Sequence, residues 1–298
     1  MNIFFVLTPY FVLVLMTTLS RLAGIRAARD APAVLFVPGA FHQATVYEQV
    51  IEKLRLDNYH DLKAIDLLSV GSLAGRDADV AAVRHILIQR LENGKDVLLV
   101  GNSYGATVIG EAVKGLQNDA VSTQNHAPSD VSNHSPNGSR RGRILGLMFI
   151  CGYLPYITEV THPENKPNIR VVSPSFFRFT DGGKVYWDND LVNFPPEKTF
   201  YNALNPREQK IWVKRLKFSS FKALAANATY IPYTGDFKCT YVIGERDNSV
   251  PPAFAQTYID QPGAKFKVER LDADHVPMLS KPDDVVKLIK KAVSDMRV

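Results

Sequence analysis

Only two cysteines, Cys151 and Cys239, occur in 298 residues. That is too few to staple a small secreted scaffold, which needs a disulfide framework. The seven histidines are scattered, with no H-x-H or H-E-x-x-H spacing, so nothing reads as a metal site. No G-x-G-x-x-G turn is present to cradle a dinucleotide. Charge is modest too: the formal net charge is +5, part of it in Arg21, Arg26 and Arg29. No long basic helix, zinc-finger spacing or RNP-like run accompanies it, so a nucleic-acid partner is not expected. With 46% hydrophobic and 22% charged residues, the chain can bury a sizeable core unaided.

One long apolar run is present, at residues 3–19, broken only by Thr8, Pro9, Tyr10, Thr17 and Thr18. It is long for the core of a signal peptide and slightly short for a full membrane span. Three arginines follow it and no basic residue precedes it. Read as an anchor, which is the favoured reading, it associates the protein with a membrane and leaves the main domain cytoplasmic. Read as a cleaved signal, it sends the domain into the secretory pathway, where the sequons at Asn133, Asn137 and Asn227 would fit. In either case residues 1–30 stand apart from a single domain over 31–298.

From residue 31 the pattern alternates. The short apolar run 34–37, bounded by turn residues, reads as a buried parallel strand, and further strands are predicted at 62–67, 97–100, 145–150, 240–244 and 266–271. Helices are predicted at 45–56, at 80–91 with Asn93-Gly94 closing it, at 104–116 and at 282–293. Alternation of this kind implies a mostly parallel six-stranded sheet with helices on both faces. Cys151 and Cys239 then fall at opposite ends of the sheet, as two free thiols. Two stretches break the rhythm. Residues 117–143 are polar and read as a disordered surface insertion. Residues 155–237 are rich in aromatics and prolines and read as a cap over the sheet. One clear helix is expected there, with Asn205 capping it, Pro206 opening it and Glu208 completing a capping-box-like pair.

The chemistry-bearing motif is Gly101-Asn102-Ser103-Tyr104-Gly105, a G-x-S-x-G between an apolar strand and a helical pattern. A serine on so sharp a turn adopts a strained backbone, and glycines two residues to either side remove the side chains that would collide. The turn lifts the hydroxyl clear of the sheet, beside the positive end of the next helix. The other reading, the glycine-rich turn of a dinucleotide-binding domain, lacks its fingerprint. A serine hydroxyl needs a base. In this strand–turn–helix context the partners come in the order Ser, Asp or Glu, His. Asp247 follows the predicted strand 240–244 and His275 follows 266–271, which fits that order. Glu245 is a rival acid that lies too near its strand end. Asp272 and Asp274 flank the histidine and read as solvated or loop-structuring residues. His42, after the first strand, reads as a packing or pocket residue, with Phe41 beside it. The oxyanion donors are expected to be the backbone N–H groups of Tyr104, after the nucleophile, and of Ala40, in the loop after the first strand.

These residues carry a resemblance. The run from Val34 through Pro38-Gly39-Ala40-Phe41-His42, the elbow, the Asp247 loop and Asp274-His275-Val276-Pro277-Met278-Leu279-Ser280-Lys281-Pro282 resemble the plant methylesterase and hydroxynitrile lyase group of the α/β-hydrolase superfamily, and its fungal relatives more so. The likeness spans residues 33–295, apart from 117–143. It implies an α/β-hydrolase fold, no cofactor and a buried pocket under a cap. Pro38 and Asn102 stand where the group usually has histidines. The lyases of the group carry a threonine and a lysine where this chain has Gly39 and Val276, which favours ester hydrolysis over cyanohydrin cleavage. The expected activity is therefore a serine esterase acting on a small apolar or aromatic ester or lactone, with a rate that falls in acid as His275 takes up a proton. The alternatives are a lyase or cyclase that uses the same groups for proton transfer, and a binding protein that keeps only the pocket. Phe176, Phe177, Trp187 and Phe194 mainly pack the cap onto the sheet, with one or two lining the pocket.

Overall fold

The four central strands form where β-branched and large apolar residues run between turn residues, and they lose nearly all exposure, whereas the two edge strands stay partly exposed. The computed structural model describes residues 31–117 and 141–297. The apolar run 3–19, the Asn133 and Asn137 sequons and nearly all of the 117–143 stretch lie outside the described residues. No helix among those described is long and apolar enough to cross a membrane.

Strand β1 (Ala33–Val37) is buried at every position. Helix α1 (Glu48–Leu56) follows, then the short β2 (Leu62–Ala64). Helix α2 (Arg76–Glu92) leads to β3 (Val97–Asn102), and α3 (Tyr104–Ala112) starts one residue after that strand ends. Strand β4 (Ile144–Ile150) is again wholly buried. A long segment then departs from the sheet. It holds a small antiparallel sheet of β5 (Arg178–Phe179), β6 (Lys184–Tyr186) and β7 (Ser219–Ser220), and the helix α4 (Pro206–Val213). The chain returns as β8 (Cys239–Gly244), α5 (Pro252–Ile259), β9 (Lys267–Leu271) and α6 (Pro282–Arg297).

The main sheet has the order β2-β1-β3-β4-β8-β9, and every pairing in it is parallel. Helices cover both faces, α6 packing with α1 and α2 with α3. Helix α6 shows why: Val285, Val286, Ile289, Ala292, Val293 and Met296 recur on one face and are buried, while Asp283 and Asp284 lie in its positive first turn. The sheet edges are charged where they face solvent, at Lys63 on β2 and Lys267 and Arg270 on β9, which blunts edge pairing. Chain direction across the sheet reverses between β1 and β3. Loops that leave such a switch point diverge and open a crevice at the carboxyl ends of the strands.

Several details differ from the sequence reading. Strand β2 stops at Ala64 rather than residue 67, because Asp66 turns to accept the Ala44 amide (2.7 Å) and Leu67 accepts the Val70 amide in a turn. Helix α2 starts earlier, at Arg76, and α6 runs on to Arg297. Asn205 does cap α4, accepting the amides of Arg207 and Glu208, but Glu208 binds the Asn205 side-chain amide rather than its backbone. Cys151 and Cys239 are both free and buried, the first just after β4 and the second at the start of β8.

Candidate active site

Ser103 sits between the last residue of β3 and the first of α3, at φ 51 and ψ −126. Such a conformation costs a non-glycine residue roughly 1–3 kcal/mol and persists only when the surroundings impose it. They do. The Ser103 amide donates to Ile150 O (3.2 Å), and its carbonyl accepts from Tyr153 (3.0 Å) and Ala106 (3.0 Å). A Cβ on Gly101 would lie 2.6 Å from Gly105 O, and one on Gly105 would lie 2.4 Å from both Val37 O and Pro38 O. Only glycine fits at either place, which is the physical content of the motif. Within the buried run 101–112, Ser103 alone is partly exposed.

Asp247 and His275 occupy the loops that leave β8 and β9. His275 Nδ1 lies 2.8 Å from Asp247 Oδ2, and both side chains are buried. Asp247 Oδ1 accepts the amides of Ser249 (2.7 Å) and Val250 (2.9 Å), which turns the other oxygen toward the imidazole. As the carboxylate only accepts, Nδ1 carries the proton and Nε2 is left free to take one. Asn102, next to Ser103, ties this loop to the elbow: its amide donates to Ile150 O and to His275 O, each at 3.0 Å.

The loop after β1 runs against the same point. A Cβ on Gly39 would fall 2.7 Å from Ser103 Cβ and 3.3 Å from Ser103 Oγ. Ala40 is the next residue, and Tyr104 opens α3. The three side chains and the two candidate backbone donors thus converge at the carboxyl ends of β1, β3, β8 and β9, on the crevice that the strand order creates. A model of the alpha/beta hydrolase family matches residues 34–288. The chain belongs to this family.

Relatives agree in length as well as pattern. The chain is 26% identical over 267 residues to the alpha/beta hydrolase nvfD of Aspergillus novofumigatus, covering 89% of this chain and 97% of that one. Among solved structures, the methylesterase MES16 of Arabidopsis is similar at a TM-score of 0.62 and 16% identity, over 89% of this chain and 99% of that one. Methylketone synthase I of tomato, solved with 2-tridecanone, is similar at 0.66 and 14%, over 89% and 99%. At such identities the two structures speak for the fold alone.

Within the alpha/beta hydrolase frame, the other acids near His275 have different work. Glu245 is drawn away by Arg270 (2.9 Å), and Asp272 by Arg246 (2.7 Å). Asp274 is buried and structures its loop, accepting from Ser280 Oγ (2.7 Å) and the Ala203 amide (3.0 Å). Burial pushes its carboxyl above the usual carboxylate range. His42 is buried, with Nδ1 on Ala40 O (2.8 Å) and Nε2 on the Tyr201 hydroxyl (2.8 Å). Burial holds its imidazole down to about 4, so it is neutral at physiological pH.

Cys151 is the residue that sequence reasoning passed over. It follows β4 at φ 47, and its Sγ, the Asp247 carboxylate and the His275 ring lie within 4.8 Å of one another. Burial, then the charge of Asp247, raises its thiol well above the ordinary range. A thiol kept protonated is neither a nucleophile nor a metal ligand, and His275 Nδ1 is already engaged by Asp247. Its place follows from the strand order, in which β4 lies between the strands of Ser103 and Asp247, and no local sequence signal shows it.

Aromatics from the inserted segment roof the site. Phe200 stacks against His275 (5.8 Å between ring centres), and Phe177 and Trp187 meet Phe41 edge-on (5.4 and 5.8 Å). Phe176 bridges Phe200 and Phe194. These four expected packing residues do pack, and Phe200, not singled out from sequence, is the one at the imidazole. A separate cavity of about 640 Å³ opens at the opposite end of the sheet, by Ile144, Cys239 and Lys267, far from these groups.

Proposed function

We propose that this hydrolase cleaves a small apolar or aromatic carboxylic ester or lactone through Ser103, His275 and Asp247. The observation that carries the reading is the strained Ser103 elbow joined, through Asn102, to a buried His275–Asp247 pair with its Nε2 free. In this mechanism Ser103 Oγ attacks the carbonyl carbon as His275 Nε2 takes its proton. Asp247 holds the tautomer and stabilises the imidazolium. The Ala40 and Tyr104 amides take the charge that builds on the carbonyl oxygen. His275 returns the proton to the leaving alkoxide, and water then repeats the cycle on the acyl-enzyme, releasing the acid. Phe177, Trp187 and Phe200 supply an apolar roof, which suits an apolar acyl or alcohol group. The inserted segment 155–237 acts as the cap.

The test is hydrolysis of short-chain and aromatic p-nitrophenyl and methyl esters by the full-length chain, with Ser103→Ala alongside. Loss of turnover and of fluorophosphonate labelling at residue 103 supports the reading. Turnover that survives in the folded variant overturns it.

A further inference from the structure

We infer that the inserted segment sets the oxyanion hole, with Ser219 and Tyr201 as positioning residues for the Ala40 amide. This rests on the function proposed above and adds residues 178 and 161 positions away in sequence from Phe41 and Ala40, as counted from the chain numbering.

The starting point is Phe41, whose φ of 69 lies in the left-handed region that a bulky residue avoids. Something must hold it there, and the partners are explicit. The Phe41 amide donates to Ser219 Oγ (2.9 Å), and the Phe41 carbonyl accepts from the Lys217 amide (3.0 Å). The Ala40 carbonyl accepts from His42 Nδ1 (2.8 Å), and His42 Nε2 accepts from the Tyr201 hydroxyl (2.8 Å). The Ala40–Phe41 peptide is thus gripped at both polar atoms, at its oxygen by His42 and at its N–H by Ser219. The preceding peptide is fixed as well, because Gly39 O accepts the His42 amide (3.3 Å). A trans peptide points its N–H opposite to its C=O, so holding Gly39 O aims the Ala40 N–H. Tyr201, Lys217 and Ser219 all belong to the segment between β4 and β8.

The same strand reaches the second donor. The Ser220 amide donates to Ser69 O (2.9 Å), and the Ser69 amide donates to Asp79 Oδ1 (2.9 Å). Asp79 Oδ2 accepts the Tyr104 hydroxyl (3.1 Å). Strand β7 therefore contacts the Ala40 loop directly and the first turn of α3 through Ser69 and Asp79. The inserted segment thus braces the loops that carry both donors.

The experiment compares Ser219→Ala, Ser219→Cys and Tyr201→Phe with the wild-type full-length chain on an ester the wild type turns over. Melting curves confirm folding, and hydrogen exchange of peptides spanning residues 39–46 reads the clamp without reference to activity. The expected result for Ser219→Ala is a kcat lowered about tenfold or more at nearly constant KM, short of the ~10²–10³ lost when a donor is deleted outright. Exchange over 39–46 should rise in parallel. Tyr201→Phe, which removes one hydroxyl with little change of shape, should give a smaller loss of the same kind and keeps the test decisive if Ser219→Ala does not fold. Unchanged kcat and exchange in the folded variants would overturn the inference, as would a loss confined to KM. A wild-type chain without Ser103-dependent turnover would instead refute the esterase reading, and exchange over 39–46 would still judge the clamp.

Discussion

His42 should make the protein sensitive to mild acid in a way that a single substitution removes. Its imidazole is buried, donates from Nδ1 to Ala40 O and accepts at Nε2 from Tyr201. Desolvation, opposed by the hydrogen bond to the Ala40 carbonyl and aided by the nearby His275, holds it at about 4 against an ordinary 6.5. Between about pH 7 and pH 4.5 the unfolded chain therefore binds a proton that the folded chain does not. Stability falls as pH falls through that window. At about 1.4 kcal/mol per unit, proton binding between those two values gives a loss on the order of 2 kcal/mol by pH 4.5. In His42→Asn the amide nitrogen takes the place of Nδ1 and nothing titrates. Urea unfolding of both proteins at about pH 7 and pH 4.5 isolates the effect, because contributions from Asp79 and Asp274, which burial raises and which therefore run the opposite way, cancel in the difference. The stability gap between wild type and variant should shift in favour of the variant by about 2 kcal/mol on acidification. A gap that stays constant to within about 0.5 kcal/mol would refute the assignment of His42 as a buried neutral donor.

Two glycine exchanges probe the elbow from opposite sides. Ser103→Gly relieves a positive φ, so it should raise unfolding stability by about 1 kcal/mol while abolishing turnover, and a less stable variant would show that Ser103 is not strained. Gly105→Ala places a Cβ 2.4 Å from the backbone oxygens of Val37 and Pro38, neither of which can swing away. Soluble yield and denaturant midpoint should collapse, by on the order of 3 kcal/mol or more, and wild-type stability would mean that β1 and α3 are not packed this closely.

The legible part of this protein is the part written in local patterns. The elbow can be read because its glycines stand at a fixed spacing about the serine, although only the Gly101 clash is local, with Gly105 and Ala106, while Gly105 makes room for the end of β1. Asp247 and His275 can be read because a parallel sheet brings every strand's carboxyl end to one edge, so position after a strand is position in space. What escaped detection depends on neighbours distant in sequence. Cys151 matters only because β4 lies beside β8, and nothing in its flanks shows that. Ser219 sits in a two-residue strand, too short for alternation to register, and meets a partner 178 residues away. The early end of β2 comes from Asp66 capturing a backbone amide of the preceding loop, a choice no periodicity encodes. Composition marks the aromatics of the inserted segment for packing, and Phe176, Phe177, Trp187 and Phe194 do pack, yet only their arrangement singles out Phe200 at the imidazole.

The most direct test of the central claim is the rate of ester hydrolysis by the full-length chain beside Ser103→Ala, with fluorophosphonate labelling mapped by mass spectrometry. Turnover by the wild type that falls at least about a thousandfold in the folded variant, with labelling at Ser103 and its loss on substitution, is the predicted result. Equal turnover in the two proteins, or neither turnover nor labelling in a folded wild type across the ester panel, would contradict it.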